Sequence, residues 1–227
     1  MIDLNSLTLY KNKISSYVDD LMPLPSPKDI LILNDELIDN YTGNGITKHG
    51  SVKIDENNIA SGFSNSNNYL LTSLNCLSLS DGFEFQVKAK NNGKSESIFC
   101  ASTLDEDSKF CFYVGLNTIL NHTFLGSWYN GRLYDTGFDF SNISDFVPDK
   151  MHYFRYKYSN NTLYFKLLDE DMNVLFEEST SVTFYFRNRT FIIGNMSSWY
   201  QSPYISIDLS ETWFKDKDGN LISSWNK

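Results

Sequence analysis

A chain of 227 residues with 41% hydrophobic and 15% aromatic side chains can bury a sizeable core, which excludes intrinsic disorder, and its 17 Phe and 14 Tyr favour strands over helices. A net charge of −9 and a pI near 4.8 exclude a nucleic-acid partner, since phosphate binding needs clustered Lys and Arg. No apolar run is long enough to span a bilayer and the mean hydropathy is −0.35, so membrane insertion is not expected.

The amino terminus, MIDLNSLTLYKNK, lacks the basic-then-apolar layout of a signal peptide, so folding in a cytoplasm is the expectation. Leu7, Tyr10, Ile14, Tyr17 and Leu21 recur at helical spacing, which predicts a helix over 6–22. Asn5 or Ser6 is placed to cap it, and Met22-Pro23 ends it, because proline disfavours helix in the residue before it. Two heptads are too short to be stable alone. The stripe must therefore dock, either on the rest of its own chain or as an oligomerisation seam or anchor in a larger assembly. Pro23, Pro25 and Pro27 read as a stiff linker, 29–33 as a short apolar strand, and 34–40 as a single helical turn. The chain thus divides into an N-terminal helix (1–22), a Pro-rich linker with a short strand (23–40) and a body of strands (41–227).

Within that body, 51–54, 69–72, 83–87, 98–102 and 110–115 read as strands, with an acidic loop at 104–108 and a turn at 42–45. Residues 118–128 and 132–138 form a further pair around Tyr129-Asn130-Gly131. Then Phe154, Tyr156 and Tyr158 alternate with Arg155 and Lys157 until Ser159-Asn160-Asn161 breaks the pattern, since Asn tolerates the left-handed backbone of a tight turn. Alternation resumes at Leu163, Phe165 and Leu167, and a second polar break at 169–173 leads into Val174. The result is a three-stranded antiparallel meander, apolar on one face and charged on the other, which another layer must cover. Strands at 183–186, 191–194, 204–214 and 221–225 follow, the last two flanking the hairpin Lys217-Asp218-Gly219-Asn220. So many short strands predict an all-β fold of two packed antiparallel sheets.

The succession FEFQVKA (83–89), SIFCAS (97–102), FCFYVGL (110–116), the HYFRYKYSNNTLYFKLLDED meander, TFIIGN (190–195) and YISIDLSETWFKDKDGNLISSW (204–225) resembles the concanavalin A-like lectin/glucanase superfamily, in its laminin-G-like and pentraxin-like branch. The last segment looks like the closing strands of such domains in tailed-bacteriophage structural proteins, where a phrase G-x-I-D-L-x-x-x-x-I-x-x-x-G leads to a terminal Trp. Ser206-Ile207-Asp208-Leu209, Trp213-Phe214, Gly219 and Trp225 fill those places, without the glycine that precedes Ile-Asp-Leu. The resemblance spans 41–227 and implies a jelly-roll sandwich. It also implies a fibre- or spike-type virion protein, assembled in the host cytoplasm. Such a protein is commonly trimeric and meets other virion proteins and host-surface carbohydrate.

Glycosidases of that superfamily carry Glu-x-Asp-x-Glu or a near variant on one strand, so that acid and nucleophile flank the same bond. No such run occurs here, which disfavours a carbohydrate-active enzyme. His49, His122 and His152 have no nearby nucleophile motif. Cys76, Cys100 and Cys111 fit neither a disulfide framework nor a zinc site and read as buried, reduced thiols. In Asp216-Lys217-Asp218-Gly219-Asn220 the glycine comes too early for a calcium loop, so a plain hairpin turn is expected. Asp105 and Asp107 leave a structural calcium ion open; no other metal or cofactor is expected.

Sugar rings stack their C–H faces on Trp and Tyr while Asn, Gln and Arg bond the hydroxyls. Two loops offer that combination: Trp128, Tyr129, Asn130 and Arg132, and Trp199, Tyr200 and Gln201. The same rings would also serve to cap the sandwich ends or fill a subunit interface. Trp213 and Trp225, on strands, read as core. Three functions follow: a lectin-like virion module, a purely structural decoration or assembly subunit, and a carbohydrate-active enzyme.

Overall fold

A computed structural model describes residues 32–33, 36–38, 45–64, 67–93, 96–103, 111–129, 132–194 and 204–225, with side chains except at 32–33, 36–38, 45, 128–129 and 133–135. The strands begin with β1 (Ile32–Leu33), β2 (Glu36–Ile38), β3 (Gly45–His49), β4 (Lys53–Ile54), β5 (Ile59–Ser61), β6 (Tyr69–Asn75), β7 (Phe83–Asn91), β8 (Glu96–Ser102) and β9 (Tyr113–Asn117). They continue with β10 (His122–Tyr129), β11 (Arg132–Asp139), β12 (His152–Ser159), β13 (Thr162–Leu168), β14 (Val174–Ser181), β15 (Thr190–Gly194), β16 (Ile205–Asp216) and β17 (Leu221–Ser224). A nine-stranded sheet runs β1-β2-β3-β6-β15-β8-β9-β10-β11. An eight-stranded sheet runs β14-β13-β12-β7-β16-β5-β4, with β17 also on β16. The chain is an all-β antiparallel sandwich.

Period-2 alternation builds the core. On the eight-stranded sheet Phe165, Tyr156, Phe85 and Phe214 are register partners in one inward row. Phe85 stacks on Phe214 at 4.2 Å, and Phe191 of the other sheet meets Phe214 edge-on at 4.7 Å. Each such aromatic pair contributes about 0.5–1.5 kcal/mol beyond its buried area. Tyr156, fully buried, donates its hydroxyl hydrogen to Thr123 on the opposite sheet, and Thr123 donates in turn to the Gly115 carbonyl at 2.8 Å. Burial pushes the Tyr156 phenol well above its ordinary pKa. Cys76, Cys100 and Cys111 are buried free thiols, as expected.

Local chemistry sets the turns. Asn160 and Asn161 take positive φ of 51° and 56° between β12 and β13, the paired left-handed conformation of a tight hairpin. Three other loops share one wiring. Asp55, Asp169 and Asp216 each accept backbone N–H groups from two and four residues ahead, at 2.8–3.0 Å. The residue three ahead is left-handed in every case: Asn58, Met172 and Gly219. Hydrogen bonds from the Asn173 and Asn220 side chains, first among several, hold the Asp169 and Asp216 carboxyls below the usual range. The segment 216–220 is thus the plain hairpin turn expected of it.

Some elements differ from expectation. Within 34–40, Glu36–Ile38 is a strand between β1 and β3, not a helical turn, because its backbone bonds are completed by the sheet edge. Residues 118–121 are a turn, so β10 starts at His122. The predicted strand at 183–186 makes no ladder. Phe184 and Phe186 insert between the sheets, and the N–H groups of Phe184 and Tyr185 reach the Tyr158 and Ser127 hydroxyls instead. The helix predicted over 6–22, most of the linker and the acidic loop lie outside the described residues.

The middle of the outward face of the nine-stranded sheet is apolar, flanked by Thr47 at one end and by the row Glu96, Asn117, His122 and Asp139 beside it. Register places Leu71, Ile192, Ala101, Tyr113 and Gly126 in one row and Ile98, Gly115, Phe124 and Gly137 in another. Ile98, Ala101, Tyr113, Phe124 and Ile192 form a hydrophobic cluster distinct from the core, none more than 8% exposed. Aromatic side chains lie over the glycines of these rows: Phe124 over Gly115, Tyr113 over Gly126 and His122 over Gly137, where a Cβ would collide with each.

Candidate functional site

The outward face of the eight-stranded sheet is the opposite in chemistry. One row runs Glu177, Lys166, Arg155, Gln86 and Trp213 across five strands, and the next runs Ser179, Tyr164, Lys157, Glu84 and Lys215. Adjacent strands lie roughly 4.8 Å apart, so the ten side chains form a continuous polar and aromatic surface. It contains a groove of about 420 Å³ lined by Glu84, Arg155, Lys157, Ser159, Tyr164, Lys166 and Glu177. A smaller cleft of about 140 Å³ shares Glu84, Lys157 and Ser159 with it and extends to the 216–219 turn.

Clamped groups and solvent-exposed ones are combined here. Gln86, only 2% exposed, donates through Nε2 to the Glu211 carbonyl at 2.9 Å, which aims its Oε1 at Arg155. That oxygen accepts from Arg155 Nε at 3.1 Å and from Nη2 at 2.5 Å. The guanidinium also lies 5.7 Å from the Trp213 ring centre, and Lys215 Nζ lies 4.5 Å from it. The tryptophan is half-buried and Tyr164 is 44% exposed, so both offer ring surface. Lys166 pairs with Glu177 at 3.0 Å; both are open to solvent, so the pair adds little stability. Further along the face, Lys88 pairs with Asp208 at 3.3 Å and sits over the Tyr153 ring. Rings for stacking, a clamped guanidinium and amide or carboxylate acceptors are the equipment for binding a polyhydroxylated ring.

Of the predicted glycan-contact residues, only Arg132 has a described side chain, and it does not line this groove. Arg132 is exposed at the start of β11, paired with Tyr129 at the edge of the nine-stranded sheet. The side chains of Trp128 and Tyr129, and all of Asn130, Trp199, Tyr200 and Gln201, lie outside the described residues. So do Leu7, Tyr10, Ile14, Tyr17, Leu21, Asp105 and Asp107. Trp225 is fully buried in the core, as expected of it, but Trp213 is not core: it faces outward between Arg155 and Lys215. The three histidines sit on separate elements. His49 stacks on Tyr69, His122 lies over Gly137, and His152 is buried with its Nδ1 at 2.9 Å from the Lys150 carbonyl. Burial lowers the His152 pKa. Among the described residues, no cluster of His, Cys, Asp and Glu is arranged to hold a metal ion.

No family model and no curated protein matches this chain by sequence. Solved structures do match. The binding domain of botulinum neurotoxin DC in complex with SialylT superposes with a TM-score of 0.56 at 10% identity, over 82% of this chain and 46% of that one. The same binding domain in complex with rat synaptotagmin II gives 0.57 at 10%, over 83% and 47%. A receptor binding domain gives 0.57 at 10%, over 82% and 46%. This chain spans about half the length of these matches, and the likeness is one of fold: a β-sandwich that other proteins use as a binding domain.

Proposed function

We propose that this chain is a non-enzymatic, lectin-like module of the concanavalin A-like jelly-roll type, and that it receives a glycan in the groove of its eight-stranded sheet. The observation that carries this reading is the register-aligned pair of rows. They bring Tyr164, Trp213 and the clamped Arg155 to one open face. A virion setting, on a tailed-phage fibre or spike, rests on the resemblance of residues 204–225 to the closing strands of such proteins. Self-association through Leu7, Tyr10, Ile14, Tyr17 and Leu21 belongs to the same reading.

A glycan array on the full chain tests it, followed by Trp213→Ala and Trp199→Ala. Loss of a stacking ring costs roughly 1–3 kcal/mol of binding, so Trp213→Ala should weaken binding by that amount and leave the fold intact. Loss confined to Trp199→Ala would move the site to the 195–203 loop. An empty array would favour a structural subunit that binds no sugar. Reducing-sugar release from a polysaccharide, abolished by one carboxylate substitution, would make the protein an enzyme.

A further inference from the structure

We propose that the ligand of this groove is an acidic glycan, and that Arg155 is the group that receives its anion; the inference rests on the binding reading above. The chain as a whole carries a net charge of −9, which repels anions. The two rows that frame the groove invert that sign. They hold Lys166, Arg155, Lys157 and Lys215 against Glu177 and Glu84, four positive charges less two negative, a local excess of two. Lys166 and Glu177 cancel in their own ion pair. Glu84 stands opposite Lys157 on one side and Lys215 on the other, so it does not balance both.

Among the described residues, neither Glu84 nor Glu177, the carboxylates of the groove, pairs with Arg155. Its hydrogen-bond acceptor among the described residues is the neutral Gln86 amide, and no ion pair among those residues includes it. A guanidinium has five N–H donors, of which Gln86 takes two. The planar fork is already held in place by Gln86 below and the Trp213 ring beside it, so binding an anion costs little further ordering. A neutral sugar needs hydroxyl partners and ring faces but no such unbalanced charge. The carboxylate of a sugar acid fits the guanidinium fork with two parallel hydrogen bonds, and Lys157, exposed in the next row, completes the positive wall of the groove. A sulfated sugar offers the same anion chemistry.

The test is binding of the full-length protein to three sets of oligosaccharides: carboxylated, sulfated and neutral. Preference for a charged set, with affinity falling as salt rises, is the expected result. Arg155→Gln should then reduce affinity about tenfold or more, and Arg155→Lys should restore only part of it, because a point charge lacks the fork. Lys157→Gln, a substitution at an exposed position, should give a smaller loss with an unchanged melting temperature. Preference for carboxylated over sulfated sugars identifies a sugar acid; the reverse identifies a sulfated glycan. Equal binding of neutral sugars, unmoved by Arg155→Gln in a variant that still folds, overturns the inference and leaves the lectin-like reading standing. Binding to none of the three sets removes both.

Discussion

The two outward faces of this sandwich follow the same alternation rule and arrive at contrary surfaces. On the nine-stranded sheet, Ile192, Ala101 and Tyr113 make an apolar row with at most 8% exposure. On the eight-stranded sheet, the corresponding outward row is Lys166, Arg155, Gln86 and Trp213, with a groove beside it. An antiparallel sheet with one solvated face alternates apolar-in and polar-out. The eight-stranded sheet obeys this rule, and the middle of the nine-stranded one, buried on both faces, does not. The difference teaches that, among the described residues, the groove face of the eight-stranded sheet has the chemistry of a ligand surface. The middle of the other has the chemistry of an interior.

Removing the N-terminal stripe should have the largest effect on that contrast. Each large apolar side chain buried by the stripe is worth roughly 1.5–3 kcal/mol. Light scattering should find the full chain self-associated and a chain starting at Lys28 monomeric. A full-length monomer at micromolar concentration would remove the oligomerisation proposal. If the truncated chain also melts earlier and binds a hydrophobic dye, the stripe belongs on the nine-stranded sheet of its own chain.

Next in size is Phe124→Ala, which deletes a ring from the apolar row and uncovers Gly115. A loss of about 3 kcal/mol in denaturant unfolding is expected, the cost of truncating a buried aromatic. A loss below about 1 kcal/mol would show that this face is ordinary surface, and the contrast between the faces would fail. Smallest of all should be Lys166→Ala on the eight-stranded sheet. Its partner Glu177 is solvent-exposed, so stability should change by no more than about 0.5 kcal/mol.

Much of the sandwich is legible in the residues themselves. The meander, its Asn160-Asn161 turn and the inward aromatics of β7, β12 and β13 follow from alternation and from the backbone tolerance of asparagine. The site is less so, because its rows join side chains from five strands, and cross-strand register is not written in any one of them. Trp213 shows the limit clearly. Asp208 faces outward opposite Lys88, so counting in twos along β16 would turn residue 213 inward. A register shift between Asp208 and Trp213 reverses the count, sending the tryptophan out and Phe214 in. The alternating Arg155, Lys157, Tyr164 and Lys166 were a usable signal, since they marked the solvated side of the meander on which the groove lies.

The shared wiring of the loops at Asp55, Asp169 and Asp216 has a consequence for how this surface can change. Each aspartate satisfies its own loop's donors; in the first loop Asn58 is buried and bonded to the Trp225 carbonyl, but in the other two the exposed residues 170–171 and 217–218 carry little of the fold. One of these loops, 216–220, borders the smaller cleft beside the groove. Residues 217 and 218 can therefore be rewritten, by evolution or by design, with Asp216, Gly219 and Asn220 kept as the frame. The shape and charge of that end of the groove are separable from foldedness.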